Sequence, residues 1–218
     1  MTEQASISMI FGVRGTGKTT KVRELTNRTA RVLFYDTLGR DYSEGVVCES
    51  LDELKAFWRR VYRQNFRIVY RPVNPEADFD TVCRMVFAAG KMTFVVEEVD
   101  TYIDGQGRAS DEFRQLIQRG RHADVDMICV TQTPKGFGRL LTSQTETFYL
   151  FATREPDHLD YFRKRFGRRL ADELGRLPKF RCIERNAFDL LEEPADDETG
   201  DVEPVQGRGH ENDETDPC

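Results

Sequence analysis

Eight residues near the amino terminus, Gly12-Val13-Arg14-Gly15-Thr16-Gly17-Lys18-Thr19, dictate a strand–loop–helix unit. They satisfy the pattern G-x-x-x-x-G-K-[ST], a phosphate-cradling loop. The flanks agree with it. An apolar run, Ile7 to Phe11, leads in, and a helical pattern carrying Val22 and Leu25 leads out. Glycines let backbone N–H groups curl around anionic oxygens without Cβ clashes. The helix that opens near Gly17 aims the positive end of its dipole at the same charge. Residues Gly12 to Thr20 are therefore the expected nucleotide contacts. Lys18 reaches the β- and γ-phosphates, and the Thr19 hydroxyl holds Mg²⁺.

The remaining pattern alternates strands and helices. Apolar runs bounded by turn residues predict strands at 6–11, 31–36, 67–71, 92–97, 125–131, 146–152 and 179–184. Ser50-Leu51-Asp52-Glu53 reads as a capping box ahead of Leu54, Phe57, Trp58 and Val61. Phe79, Val82, Cys83 and Val86 form a second stripe. Ser110 caps a third helix carrying Phe113, Leu116 and Ile117, and a fourth starts after Pro156. The expected fold class is α/β: a P-loop NTPase with a RecA-like, mostly parallel sheet and helices on both faces.

Two further strands end in chemistry. Thr93-Phe94-Val95-Val96-Glu97-Glu98 is an apolar strand that stops on paired acids. In a Walker B arrangement the first acid, Glu97, serves Mg²⁺ and the second, Glu98, polarises the attacking water. Asp100 competes with Glu97 for the metal. Ile128-Cys129-Val130-Thr131-Gln132-Thr133-Pro134 is an apolar strand that ends on a polar pair. The Gln132 amide can donate to a γ-phosphate and accept from water.

Charge is unevenly spread. Of 218 residues with a net charge of −6, the segment 192–218 holds 11 Asp/Glu against one Lys/Arg. Residues 1–191 are left with 31 Lys/Arg against 27 Asp/Glu, a net of +4. The ATPase domain is thus expected over 1–191 and a disordered acidic tail over 192–218. The tail reads either as a solubilising appendage or as an arm that screens a nucleic-acid surface. The five cysteines are scattered without C-x-x-C spacing, which argues against a disulfide framework or a zinc site. No apolar run is long enough for a membrane span, and no signal-peptide pattern is present.

The run from Arg119-Gly120-Arg121-His122 through Thr131-Gln132-Thr133-Pro134, with Phe148 to Leu159 after it, resembles the HerA–FtsK superfamily of DNA-pumping ATPases. The size is similar to that of the small genome-packaging ATPases of membrane-containing tailless viruses. Zonula-occludens-toxin-like assembly ATPases of filamentous phages and HerA-like ATPases of DNA transfer come next. The sequence departs from the pattern at Glu97, where Asp is usual, and at Arg14 inside the loop. The resemblance implies an ATP- and Mg²⁺-dependent translocase acting on double-stranded DNA. It also implies a homo-oligomeric, hexameric ring with capsid or portal-vertex partners, in the host cytoplasm or the virion. A cation from the neighbouring subunit, Arg119 or Arg121, would complete the catalytic site.

For DNA contacts, the basic cluster Arg163-Lys164-Arg165 and Arg168-Arg169 is the first candidate, with a solvated helix end as its alternative. Tyr102 and Arg108 in the Gly-rich segment after Glu98 are the next, as a loop coupled to hydrolysis. A third reading, a small-molecule kinase, would use Arg163 to Arg169 as a lid. It does not call for paired acids with a Thr-Gln strand after them.

Overall fold

The computed structural model describes residues 5–39, 41–104, 106–134 and 138–192. The acidic segment, from residue 193 onward, lies outside the described residues. Eight strands form one sheet: β1 (Ile7–Phe11), β2 (Arg31–Tyr35), β3 (Val46–Cys48), β4 (Phe66–Tyr70), β5 (Met92–Val96), β6 (Val125–Thr131), β7 (Thr147–Phe151) and β8 (Cys182–Asn186). Their order is β3-β4-β2-β5-β6-β1-β7-β8. Every pairing is parallel except β7 with β8. The helices are α1 (Lys18–Thr26), α2 (Leu51–Val61), α3 (Pro75–Ala89), α4 (Asp111–Arg119), α5 (Arg139–Thr142), α6 (Pro156–Phe166), α7 (Arg168–Arg176) and α8 (Ala187–Glu192).

Side chains alternate across each strand, so one strand feeds two cores. On β1, Ile7, Met9 and Phe11 join the larger core with residues of α2, α3, α4, α6 and α7. Ile10 points the other way, into a smaller core shared with Val22 and Leu25 of α1. The sheet is therefore covered on both faces, as expected, but unequally.

Local signals set the helix starts. The Ser50 hydroxyl accepts from Glu53 N–H at 3.2 Å, and that of Ser110 from Phe113 N–H at 3.3 Å. The Asn74 side chain accepts from Ala77 N–H ahead of Pro75 at the first turn of α3. The Glu53 carboxylate does not close the box on Ser50; it accepts from Glu49 N–H instead, at 2.8 Å.

Five elements differ from the sequence expectation, two of them the helices α5 and α8, which are too short to carry an apolar stripe of their own. β3 went unrecognised because three residues among turn formers give no periodicity. Helix α7 was read only as part of a basic cluster. The last strand starts at Cys182, not at 179, because Pro178 to Phe180 make a turn in which Phe180 takes φ 66°. Among the described residues no helix is long and apolar enough to cross a membrane.

Candidate nucleotide site at the ends of three strands

Three neighbouring strands, β5, β6 and β1, end side by side. Their carboxyl ends carry Glu97-Glu98, Gln132 and the Gly12–Thr19 loop respectively. Gly12 N–H donates to Thr131 O at 3.2 Å, so the first loop glycine abuts the residue before Gln132. Carboxyl strand ends are where an open parallel sheet accepts ligands.

Steric demands explain the loop's glycines. A Cβ on Gly12 would sit 2.6 Å from Thr16 Oγ1 and 2.7 Å from Phe151 Cβ. Gly17 takes φ 112°, a left-handed conformation, at the entry to α1. The Thr16 hydroxyl donates to Val13 O at 2.8 Å and tightens the turn. Lys18 Nζ reaches back into the loop, donating to Gly12 O at 2.7 Å and Val13 O at 3.3 Å. Burial lowers the Lys18 pKa, and the facing charge of Glu97 works against that shift. Arg14 is exposed at the loop tip, and Thr19 is half-buried in the first turn of α1.

Glu97 is 4 % exposed. Burial pushes its carboxyl up to about 7, while a hydrogen bond from Tyr42 pulls it down. Tyr42 is itself wholly buried, stacked on Phe34 at 4.4 Å, with its hydroxyl donating to Glu97 Oε1. Glu98 sits in a left-handed conformation at φ 50°, ψ 47°. That costs a non-glycine residue about 1–2 kcal/mol and is typical of functional positions. The Thr37 hydroxyl donates to Glu98 Oε2 at 3.1 Å. The segment after β2 thus supplies a hydroxyl to each acid. It is tied down by Arg71 to Tyr42 O at 2.8 Å and by Arg23 to Asp41 O at 2.6 Å. Sequence reasoning missed both Thr37 and Tyr42; they lie in a turn-rich stretch with no motif.

Asp100, the other candidate for the metal, is held by two hydroxyls. Both its oxygens are engaged, Oδ1 by Thr131 Oγ1 at 2.7 Å and Oδ2 by Thr133 Oγ1 at 3.2 Å. It fastens the turn after β5 to the end of β6.

The donor set suits Mg²⁺, a hard cation that takes oxygen ligands and keeps several waters or phosphate oxygens. The Glu97 carboxylate and the Thr19 hydroxyl are oxygen donors of that kind. Among the described residues no cluster of three His, Cys, Asp or Glu forms a metal cage. An ion here would therefore be shared with phosphate.

Other expected residues lie elsewhere. Helix α4 runs back from the strand ends, so Arg119 and Arg121 are exposed at the opposite edge of the sheet, where β6 begins. They cannot reach this chain's own loop. The corner between α6 and α7, with Arg163, Lys164, Arg165, Arg168 and Arg169 all exposed, is also at that far edge. Arg163 pairs with Asp160, and Arg165 donates to Thr142 Oγ1 at 3.0 Å. Tyr102 is turned inward, away from a pore-facing position. Its ring stacks on Phe79 at 3.6 Å and meets Tyr35 edge-on, because the short 3₁₀ turn Val99–Thr101 directs it into the core. Arg108 remains exposed and pairs with Asp104 at 2.8 Å.

Comparison with known proteins follows from this geometry. No protein-family model matches the chain. The chain is 28 % identical over 143 residues to protein P9 of Pseudoalteromonas phage PM2. That match spans 62 % of the chain and 63 % of the length of the relative. The genome packaging NTPase B204 of Sulfolobus turreted icosahedral virus 2, solved with AMPPCP, superposes with a TM-score of 0.69 at 15 % identity, over 84 % of this chain and 93 % of B204. That likeness is one of fold: the chain is built as an α/β P-loop ATPase. VirB4 of Thermoanaerobacter pseudethanolicus shares the fold as well, with a TM-score of 0.55 at 14 % identity over 79 % of this chain and 84 % of its own.

Proposed function

We propose that the protein is an ATP-hydrolysing translocase that packages viral double-stranded DNA into a preformed capsid. The observation that carries this reading is the meeting of Lys18, the Glu97-Glu98 pair and Gln132 at three adjacent strand ends. They sit on a fold shared along nearly the whole length of a viral genome packaging NTPase.

Each residue has a role that follows from its position. The loop N–H groups and Lys18 bind the phosphates. Thr19 and Glu97 would hold Mg²⁺, which would supply positive charge against the phosphates. Glu98, held by Thr37, accepts a proton from the attacking water. Gln132, beside Gly12, orients that water and contacts the γ-phosphate. Because Arg119 and Arg121 stand at the far edge, either would act on the site of a neighbouring copy, which requires a head-to-tail ring. The exposed α6–α7 corner and Arg108 supply phosphate contacts to DNA, and capsid or portal proteins anchor the ring.

A kinase reading loses its lid. Arg163 to Arg169 stand at the sheet edge remote from the loop and cannot fold over a nucleotide bound there.

Steady-state ATP hydrolysis with and without duplex DNA, beside Glu98→Gln, tests the proposal. DNA-stimulated turnover that falls by about 10²–10⁴-fold in Glu98→Gln, with nucleotide binding retained, is the expected result. Turnover indifferent to DNA and retained in the variant would overturn both the motor and the role of Glu98.

A further inference from the structure

Two stretches of the chain contain no carboxylate. Leu54 to Pro75 has none among 22 residues yet holds Lys55, Arg59, Arg60, Arg63, Arg67 and Arg71. Leu25 to Tyr35 has none and holds Arg28 and Arg31. The fold lays these stretches side by side. β2 and β4 pair in parallel from Arg31 opposite Phe66, with Phe66 N–H donating to Ala30 O at 3.0 Å.

The partly buried arginines of the two stretches are used internally. Arg31 donates to Tyr62 O at 2.6 Å, Arg67 to Thr26 O at 2.8 Å, and Arg71 lies 3.5 Å from Asp36. Arg28, Arg59, Arg60 and Arg63 are exposed at the edge where the strands begin. None of these four makes an ion pair among the described residues. The Arg60 guanidinium lies over Phe57 at 5.4 Å, and that of Arg63 over Tyr62 at 5.2 Å.

A helix end welcomes one or two cations, each worth about 0.3–1 kcal/mol. That accounts for Arg59 or Arg60. It does not account for Arg28, which comes from another element, nor for the clearing of acids from both stretches. Four like charges without a counter-charge suit a polyanion whose spacing need not be matched base by base.

We infer that Arg28, Arg59, Arg60 and Arg63 form a binding surface for the phosphodiester backbone of duplex DNA. The surface rests on the DNA-motor reading above but involves none of the residues assigned there. It lies at the sheet edge opposite the nucleotide loop, so DNA held there does not compete with nucleotide.

Anisotropy of a labelled duplex of arbitrary sequence, titrated with the full chain in EDTA without nucleotide at several salt concentrations, tests the inference. The variant is Arg59→Gln/Arg60→Gln/Arg63→Gln, with its mass in solution checked by light scattering. Three lost phosphate contacts lower the slope of log affinity against log salt by about 2–3. Solution mass and DNA-independent ATP hydrolysis stay at the wild-type values. A variant with wild-type affinity and slope overturns the inference and leaves the motor reading standing. A variant that loses self-association assigns the cluster to contact between copies and also overturns it. Wild-type protein that binds no duplex overturns the motor reading and this surface together.

Discussion

Replacing Tyr42 by Phe isolates one buried hydroxyl. The ring is wholly enclosed and stacked on Phe34 at 4.4 Å, so Phe keeps its packing. What disappears is the donor to Glu97 Oε1. A hydrogen bond to a charged acceptor contributes about 1.5–3 kcal/mol, and one pKa unit corresponds to about 1.36 kcal/mol. Tyr42 favours the ionised form of Glu97, whose carboxyl burial holds at about 7 even with that hydrogen bond in place. Its loss therefore raises the Glu97 midpoint by about 1–2 pH units. The assay is ATP hydrolysis at saturating ATP and Mg²⁺ across roughly pH 6 to 9.5. The rising limb of the profile should move alkaline by that amount in Tyr42→Phe, with the plateau nearly preserved. A limb that stays in place while the plateau drops would refute the reasoning, since that is the signature of a general loss of structure.

Three other outcomes follow from the same geometry. Thr37→Val removes the donor to Glu98 Oε2 and should lower kcat by about tenfold, the equivalent of one hydrogen bond, while KM for ATP stays within about twofold. Gly12→Ala places a Cβ 2.6 Å from Thr16 Oγ1 and 2.7 Å from Phe151 Cβ; binding of a fluorescent ATP analogue should be lost and the melting temperature should fall. Glu97→Gln should flatten the pH dependence of stability in nucleotide- and metal-free protein. With a folded pKa of about 7 against 4.5 for a freely exposed glutamate, wild-type Glu97 holds its proton in the folded state and releases it in the unfolded state as pH rises between these values. The Glu97 contribution to stability is therefore fully present below about pH 4.5 and shrinks by about 3 kcal/mol as pH rises to 7, so urea titrations at stepped pH should show a decline smaller by that amount in Glu97→Gln.

The parts of the site legible in the sequence are those governed by contiguous residues. The loop from Gly12 to Thr19, the acids after β5 and the Thr-Gln after β6 each announce themselves within one strand and its exit. The parts that were not legible are set by residues meeting across the sheet. Tyr42 and Thr37 sit in a stretch of turn formers, and only the adjacency of β2 to β5 brings them to Glu97 and Glu98. The hydroxyls of Thr131 and Thr133 reach Asp100 only because β6 lies beside β5. Tyr102 looked exposed in a polar loop, but a single 3₁₀ turn directs it onto Phe79. The far-edge position of Arg119 follows from helix direction, which sequence supplies only once the strand order is known.

The bond pattern around Asp100 has a mechanical consequence. Gln132 stands between the two threonines that grip Asp100, and Glu98 lies two residues before it. The turn carrying Glu98 and the strand end carrying Gln132 are thus joined by one carboxylate. On the proposed assignment, a push on Gln132 from a γ-phosphate would pass to Glu98 through these two hydrogen bonds. Detection of the phosphate and readiness to cleave it would then be one displacement, with Asp100 as the crossbar.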